Sequence, residues 1–131
     1  MSRRLAFWLS RTADLRVMAP VIDAAASRPG LEVVVLIPGW TIGRAYYTVD
    51  ADGLRASLGS RVRIRVLETP GRLEGAILDE AAETVVTVLP RITDVPDDVG
   101  DGARQRTRMR GVTWAALPYA YHQDYLCATE P

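Results

Sequence analysis

The sequence predicts an α/β fold in which a doubly wound, mostly parallel sheet of about five or six strands lies between two layers of helices. Short apolar segments of strand length alternate with segments whose apolar residues recur every three or four positions, as on one helix face. The clearest strand, LEVVVLI at residues 31–37, is apolar at nearly every position, which is typical of parallel strands covered on both sides. With 131 residues, of which 48% are hydrophobic, the chain fits a single domain with its own core.

The first predicted strand, residues 4–9, is followed by a helix that begins at Ala13. One face of this helix carries regularly spaced apolar residues, namely Leu15, Met18, Ile22 and Ala25. Pro29 and Gly30 end it. Pro20 lies inside the helical pattern, so it either kinks the helix or marks the first turn of a helix that begins later.

The segment after the second strand is less regular. Residues 40–49 are irregular or contain a short strand near their end, and Asp50 then caps a short helix that runs through Leu58 and is ended by Gly59. In the next strand, residues 62–67, apolar side chains alternate with arginines. Because a central parallel strand does not tolerate alternating charges, this pattern indicates a strand near the edge of the sheet.

The second half of the chain continues the alternation of helices and strands. A helical stripe is formed by Leu73, Ile77, Leu78 and Ala81. The predicted elements that follow it are a strand at residues 84–89, a polar loop at 90–102, a helix at 103–110 and a strand at 112–117.

Composition and charge exclude several classes of protein. The sixteen basic residues, all arginines, balance sixteen acidic residues, so a nucleic-acid partner is not expected, whereas homo-oligomers are compatible with zero net charge. Without lysine there is no Schiff-base chemistry and no P-loop. No metal site is predicted, because the sequence has only one histidine and one cysteine as ligands of the usual kind. The lone Cys127 has no partner in the sequence for a disulfide, which suits a reducing cytoplasm. The apolar run at residues 5–9 is too short for a signal peptide or a membrane span.

In open parallel sheets, ligands bind beyond the carboxyl ends of the strands, so the residues that follow each predicted strand are candidate substrate-binding residues. Among them, Arg11 and Arg72 have the guanidinium groups that clamp phosphate, and the aromatic residues can stack on a sugar or a base. The full candidate set is Ser10, Arg11, Thr12, Gly39, Trp40, Arg72, Arg91, Tyr119 and Asp124.

His122 is the candidate catalytic residue, as a general base or a substrate contact, because it is the one side chain that ordinarily titrates near neutral pH. The alternative is a loop histidine without a role. No cofactor is predicted, because the turn SRTAD after the first strand lacks the glycines of a dinucleotide site.

Two stretches resemble a known enzyme family. FWLSRTADLRVMAPVIDAAASRPGLEVVVLIPG, with Pro20 in its helix and Gly30 before its second strand, is similar to the opening β-α-β unit of GT-B glycosyltransferases and the related CDP-glycerol glycerophosphotransferase-like enzymes. RGVTWAALPY at residues 110–119 resembles the strand that closes the first half of those enzymes. The chain departs from their pattern in lacking a glycine-rich turn after the first strand and a His-Gly pair in its last loop.

The resemblance implies a Rossmann-like domain that is the N-terminal, acceptor-side half of a two-domain transferase. Its partners would be an acceptor sugar or polyol-phosphate chain and, through a second domain that this chain does not contain, a nucleotide-activated donor. Ser10, Arg11 and Thr12, together with the loop that holds His122, match the acceptor-facing positions.

Two other functions compete with this one. Zero net charge, missing catalytic motifs and an aromatic tail are compatible with a non-catalytic α/β module for protein interaction or self-assembly. The arginines at strand ends are compatible with a small enzyme that acts on a phosphorylated metabolite.

Overall fold

The computed structural model describes residues 3–41, 51–88 and 92–117. Within these residues, five strands form one sheet: β1 (Arg3–Trp8), β2 (Leu31–Pro38), β3 (Val62–Leu67), β4 (Thr84–Thr87) and β5 (Thr113–Ala116). The helices between them are α1 (Thr12–Ala26), α2 (Ala51–Leu58), α3 (Leu73–Asp79) and α4 (Asp97–Met109). Single 3-10 turns occupy Gly39–Thr41, Gly59–Arg61 and Pro70–Arg72.

All strand pairs are parallel, and the strands lie in the order β3-β2-β1-β4-β5. The chain therefore builds outward from β1 to β3, returns to the other side of β1 as β4, and ends at β5. Leu5 marks the middle of the sheet, because it is in register with Val33 of β2 and with Thr84 of β4. This confirms the predicted Rossmann-like, doubly wound α/β/α fold.

The sheet separates two apolar layers, and successive residues of each strand point into opposite layers. Phe7 packs with Met18 and Ile22 of α1 on one side, where α2 also lies. On the other side Trp8 packs with Ile77 of α3, and α4 covers the remainder. Burial of each such large side chain contributes roughly 1.5–3 kcal/mol, so these layers hold the strand ends in fixed positions.

Helix α1 begins at Thr12 and runs through Pro20 without interruption, so the alternative in which Pro20 marks the first turn of a later helix is wrong. Proline has no N–H to donate to the carbonyl group of Arg16. Both residues are exposed, which leaves that carbonyl group accessible to water. The predicted inner face is confirmed, with Met18 and Ile22 fully buried.

Helix α4 begins at Asp97, inside the segment predicted as a polar loop at residues 90–102, so that prediction was wrong. The first turn carries Asp97 and Asp98, which favour a helix N-terminus electrostatically. Gly100 lowers intrinsic helix propensity, but it is buried, and a Cβ there would already lie 3.5 Å from Ile92. Tertiary packing therefore outweighs propensity in this helix.

Other element ends differ from the predictions by one or two residues. β1, β4 and β5 end earlier than predicted, at Trp8, Thr87 and Ala116. The predicted cap Asp50 and the short strand predicted near the end of residues 40–49 lie outside the described residues. The helix predicted to follow Asp50 is confirmed as α2, which ends at Leu58.

Strand β3 is an edge strand, as its alternating arginines predict. Arg63 and Arg65 point toward the end of α3, where Arg63 Nη1 lies 2.9 Å from Oε2 of Glu80 and Arg65 Nη1 lies 3.5 Å from Oε1. The Glu80 side chain is only 5% exposed. The edge arginines thus neutralise a carboxylate that follows a helix C-terminus, where negative charge is unfavourable.

None of the helices in the described ranges is both long and apolar enough to cross a membrane.

Helices α3 and α4 end in the same type of turn, but with different residues in the left-handed position. After α4, Gly111 has φ +90°, and Val112 N–H donates to the carbonyl group of Thr107. After α3, Ala81 has φ +52°, and Ala82 N–H donates to the carbonyl group of Ile77. The sequence pattern predicts that Ala81 continues the buried helical stripe. This prediction is wrong, because Ala81 is exposed and lies in the turn that ends α3.

Ala81→Gly is expected to raise the free energy of unfolding by about 0.5–1 kcal/mol, because glycine adopts positive φ without the steric conflict of a Cβ. Urea denaturation measures the change. Gly111→Ala is the matched control and should lower stability by about 1 kcal/mol or more. Destabilisation by Ala81→Gly would contradict this account of the turn.

Candidate functional site

The topological switch point of this sheet lies between β1 and β4. These strands are neighbours, but α1 leaves β1 toward one face and α4 follows β4 on the other. The two connections therefore leave the carboxyl edge of the sheet toward opposite faces, and doubly wound folds bind ligands at such a point. We call this switch point the β1–β4 crevice, and its described walls are residues 9–11 after β1 and residues 92–96 before α4.

A buried polar chain joins the two walls. Ser10, Asp14 and Thr93 are at most 4% exposed. Ser10 Oγ donates to Oδ2 of Asp14 across 3.1 Å, and it also lies within hydrogen-bond distance of Thr93 Oγ1. Because a hydroxyl group has one proton, the Thr93 hydroxyl group is the donor to Ser10. The chain of donors runs from Thr93 through Ser10 to the Asp14 carboxylate.

Two indole groups fix the turn that contains Thr93. Trp8 Nε1 donates to the carbonyl oxygen of Thr93, and Trp40 Nε1 donates to that of Asp94, each at 2.9 Å. The two rings are 6.1 Å apart between centroids and inclined by 33°. Trp8 is buried within the sheet and Trp40 belongs to the turn after β2. Three loops of the same sheet edge are thereby held together.

The charged pair of the crevice is formed by Arg11 and Asp94. Arg11 Nε lies 3.4 Å from Oδ2 of Asp94, and the two side chains are 33% and 9% exposed. Asp94 has φ +63°, a left-handed conformation that aspartate tolerates better than most residues. The guanidinium group is the more accessible of the two.

The structure brings together three of the predicted substrate-binding residues, Ser10, Arg11 and Trp40, through their contacts with Thr93 and Asp94. Thr12 is the first residue of α1.

Gly39 and Arg72 occupy other places. A Cβ at Gly39 would lie 2.6 Å from the carbonyl oxygen of Leu67, so this glycine allows the turn after β2 to pass against the end of β3. Arg72 is exposed and ends the 3-10 turn before α3. The remaining candidates, Arg91, Tyr119, His122 and Asp124, lie outside the described residues.

Sequence reasoning missed Asp14, Thr93 and Asp94. The available signal for Asp14 was its position in the first turn of α1, directly after a strand. Thr93 and Asp94 stand just before Val95-Pro96-Asp97, a typical helix start, although the polarity of residues 90–102 predicts a loop for the whole segment. Recognition of that helix would have placed them at the end of a short β-to-α connection.

Among residues 3–41, 51–88 and 92–117, no three histidine, cysteine, aspartate or glutamate side chains are grouped as ligands for a metal ion. Comparison with known proteins gives no further assignment: no protein-family model matches the chain, and no curated protein matches it.

Ser10→Ala is expected to lower the free energy of unfolding by about 1–3 kcal/mol, because it removes a donor to the buried Asp14 and an acceptor for Thr93. Urea denaturation provides the measurement. Ser57→Ala is the matched control: its Oγ donates to the Gly53 carbonyl group on the exposed face of α2, and its loss should cost no more than about 0.5 kcal/mol. Equal effects of the two substitutions would show that the polar chain does not stabilise the crevice.

Proposed function

We propose that this chain is the acceptor-binding half of a GT-B-type glycosyltransferase or glycerophosphotransferase, and that the β1–β4 crevice holds the acceptor. The supporting observation is that the loop of Ser10 and Arg11, which resembles the acceptor-facing positions of that family, lies at the point where the crossover connections diverge. A ligand site is expected there from the topology alone.

The chemistry of the crevice suits a hydroxyl-rich ligand. Arg11 offers hydrogen-bond donors and Asp94 offers acceptors, and they lie side by side. Sugars and polyols present hydroxyl groups that both donate and accept, so one such ligand can satisfy both side chains. Trp40 is half-buried beside them and adds apolar surface for the carbon skeleton.

In this proposal the chain supplies acceptor binding, and a nucleotide-activated donor is bound by a second domain. The predicted general base, His122, lies outside the described residues. Group transfer requires donor and acceptor to be held in reacting geometry, which one wall of a cleft does not provide. The non-catalytic interaction module remains the competing hypothesis, and acceptor binding separates the two.

Acceptor binding is tested by nuclear magnetic resonance titration of the ¹⁵N-labelled chain with maltotriose, with a glycerol phosphate dimer, with UDP-glucose and with CDP-glycerol. We expect at least one of the first two probes to shift the amides of Arg11 and Asp94 saturably, and neither nucleotide to do so. Arg11→Gln should weaken that binding by about tenfold or more, since it removes a charged hydrogen-bond donor.

The matched control is Arg55→Gln, because Arg55 also forms an ion pair with an aspartate, Asp52, but does so on the exposed surface of α2. This variant should bind like the unaltered chain. Saturable nucleotide binding in the crevice, or no response to either acceptor probe, would refute the proposal.

The chain of residues 1–131 by itself is expected to transfer no glycosyl or glycerol-phosphate group, because it holds the acceptor without a bound donor. The measurement is product formation from UDP-glucose or CDP-glycerol in the presence of the acceptor probe that binds. Product above the rate of a protein-free blank would contradict the division of roles.

A further inference from the structure

The face of α1 that points away from the sheet carries a row of apolar side chains. Pro20, Val21 and Ala24 are exposed, and Val17 beside them is half-buried. Val21 alone keeps 39% of its surface accessible. We call these four residues the outer row of α1. Because the outer face of a surface helix is ordinarily polar, such a row is a candidate contact surface.

The spacing of the outer row is the same in both directions along the helix. The steps between its four members are three, one and three residues. An antiparallel second copy of α1, related by a two-fold axis between Pro20 and Val21, therefore presents the same row to the first. Val17 of one copy then lies against Ala24 of the second copy. Pro20 likewise lies against Val21 of the second copy.

Two exposed charges of opposite sign, Arg16 and Asp23, lie along one side of the outer row. They are seven residues apart and therefore on the same side of the helix. Their separation along the axis is about 10.5 Å, which is too far for an ion pair between them. The positions three and four residues away from each, where a partner on the same helix would lie, are occupied by uncharged residues. Neither charge thus has an ion-pair partner within α1.

An antiparallel second copy supplies such partners. Side chains on the same flank of two antiparallel helices face each other, and charges there set the orientation of the pair. With the two-fold axis given above, Arg16 and Asp23 of the second copy are offset along the axis by only about 3 Å, within reach of an arginine side chain. The symmetry produces two such ion pairs. A parallel pair would instead place like charges together, so the charges select the antiparallel arrangement.

We propose that the outer row of α1 is a self-association surface, on which a second copy of this chain docks its own α1 in antiparallel orientation. The charges and the spacing are complementary to the chain itself, which favours a second copy over a different protein. The outer row faces away from the sheet, whereas the β1–β4 crevice lies at its carboxyl edge. The proposal is therefore independent of the proposed acceptor function.

The size of the surface predicts a weak dimer. Helix α1 has 15 residues, which corresponds to a length of about 22 Å. One helix from each copy buries less than the about 1,200–2,000 Å² of stable interfaces, so association depends on concentration.

Sedimentation equilibrium of the full chain, from micromolar to millimolar concentration, measures this association. The apparent mass should rise toward twice the 14.4 kDa of one chain. Over the same range, the amide resonances of Val17, Val21 and Ala24 should shift in the ¹⁵N-labelled chain. Arg16→Asp and Asp23→Arg should each weaken the dimer by about tenfold or more, because each turns both ion pairs into contacts between like charges.

The matched control is Arg108→Asp, which makes the same change of charge as Arg16→Asp at an exposed position of α4, on the other face of the sheet. This variant should dimerise like the unaltered chain. The double variant with Arg16→Asp and Asp23→Arg restores both ion pairs with reversed sign, so it should also dimerise like the unaltered chain. An equimolar mixture of the two single variants should form a heterodimer, which shows in addition that both are folded.

Three results would overturn the proposal. The first is an unaltered chain that stays monomeric over the whole concentration range. The second is a double variant that associates as weakly as the single variants, because the effect of each charge would then not depend on the other. The third is equal weakening by Arg108→Asp, which would indicate a response to net charge. None of these results affects the acceptor titration.

Discussion

The buried chain of hydrogen bonds from Thr93 through Ser10 to Asp14 is the constraint on which the carboxyl edge of the sheet depends. It places hydroxyl groups and a carboxylate in a region that water does not reach, and each must find its partner within the protein. Ser10 lies in the loop after β1, Asp14 in the first turn of α1 and Thr93 in the connection from β4 to α4. These hydrogen bonds therefore connect the two loops beside the Arg11–Asp94 pair.

The fold could be predicted largely from patterns that are local in the sequence. The apolar run of β2 indicates a strand covered on both faces, and the alternating arginines of β3 indicate an edge, and both features are present. Helix α4 shows the limit of such reasoning. Gly100 and Gly102 reduce its intrinsic propensity, yet the helix forms because Gly100 allows close packing against Ile92 and Val95. Such packing is visible only when the chain is folded.

The candidate site could be predicted only in part. Ser10, Arg11 and Trp40 follow strands, so the rule for parallel sheets reaches them directly. The contact of Ser10 with Thr93 joins residues 83 positions apart, and it requires β4 to lie beside β1. The order of strands is not encoded in any local pattern, which is why this half of the crevice was missed. Gly39 also follows a strand, and it stays a predicted site residue that, in addition, lies close to the carbonyl group of Leu67.

The indole contacts give the crevice an intrinsic optical reporter. Trp8 and Trp40 both donate to carbonyl groups of the turn that carries Thr93 and Asp94, whereas Trp114 donates to Thr107 and lies under the guanidinium group of Arg104. A movement of that turn alters the polarity around two of the three tryptophans and leaves the third as an internal reference. A change in this turn can therefore be followed by tryptophan emission without any attached label.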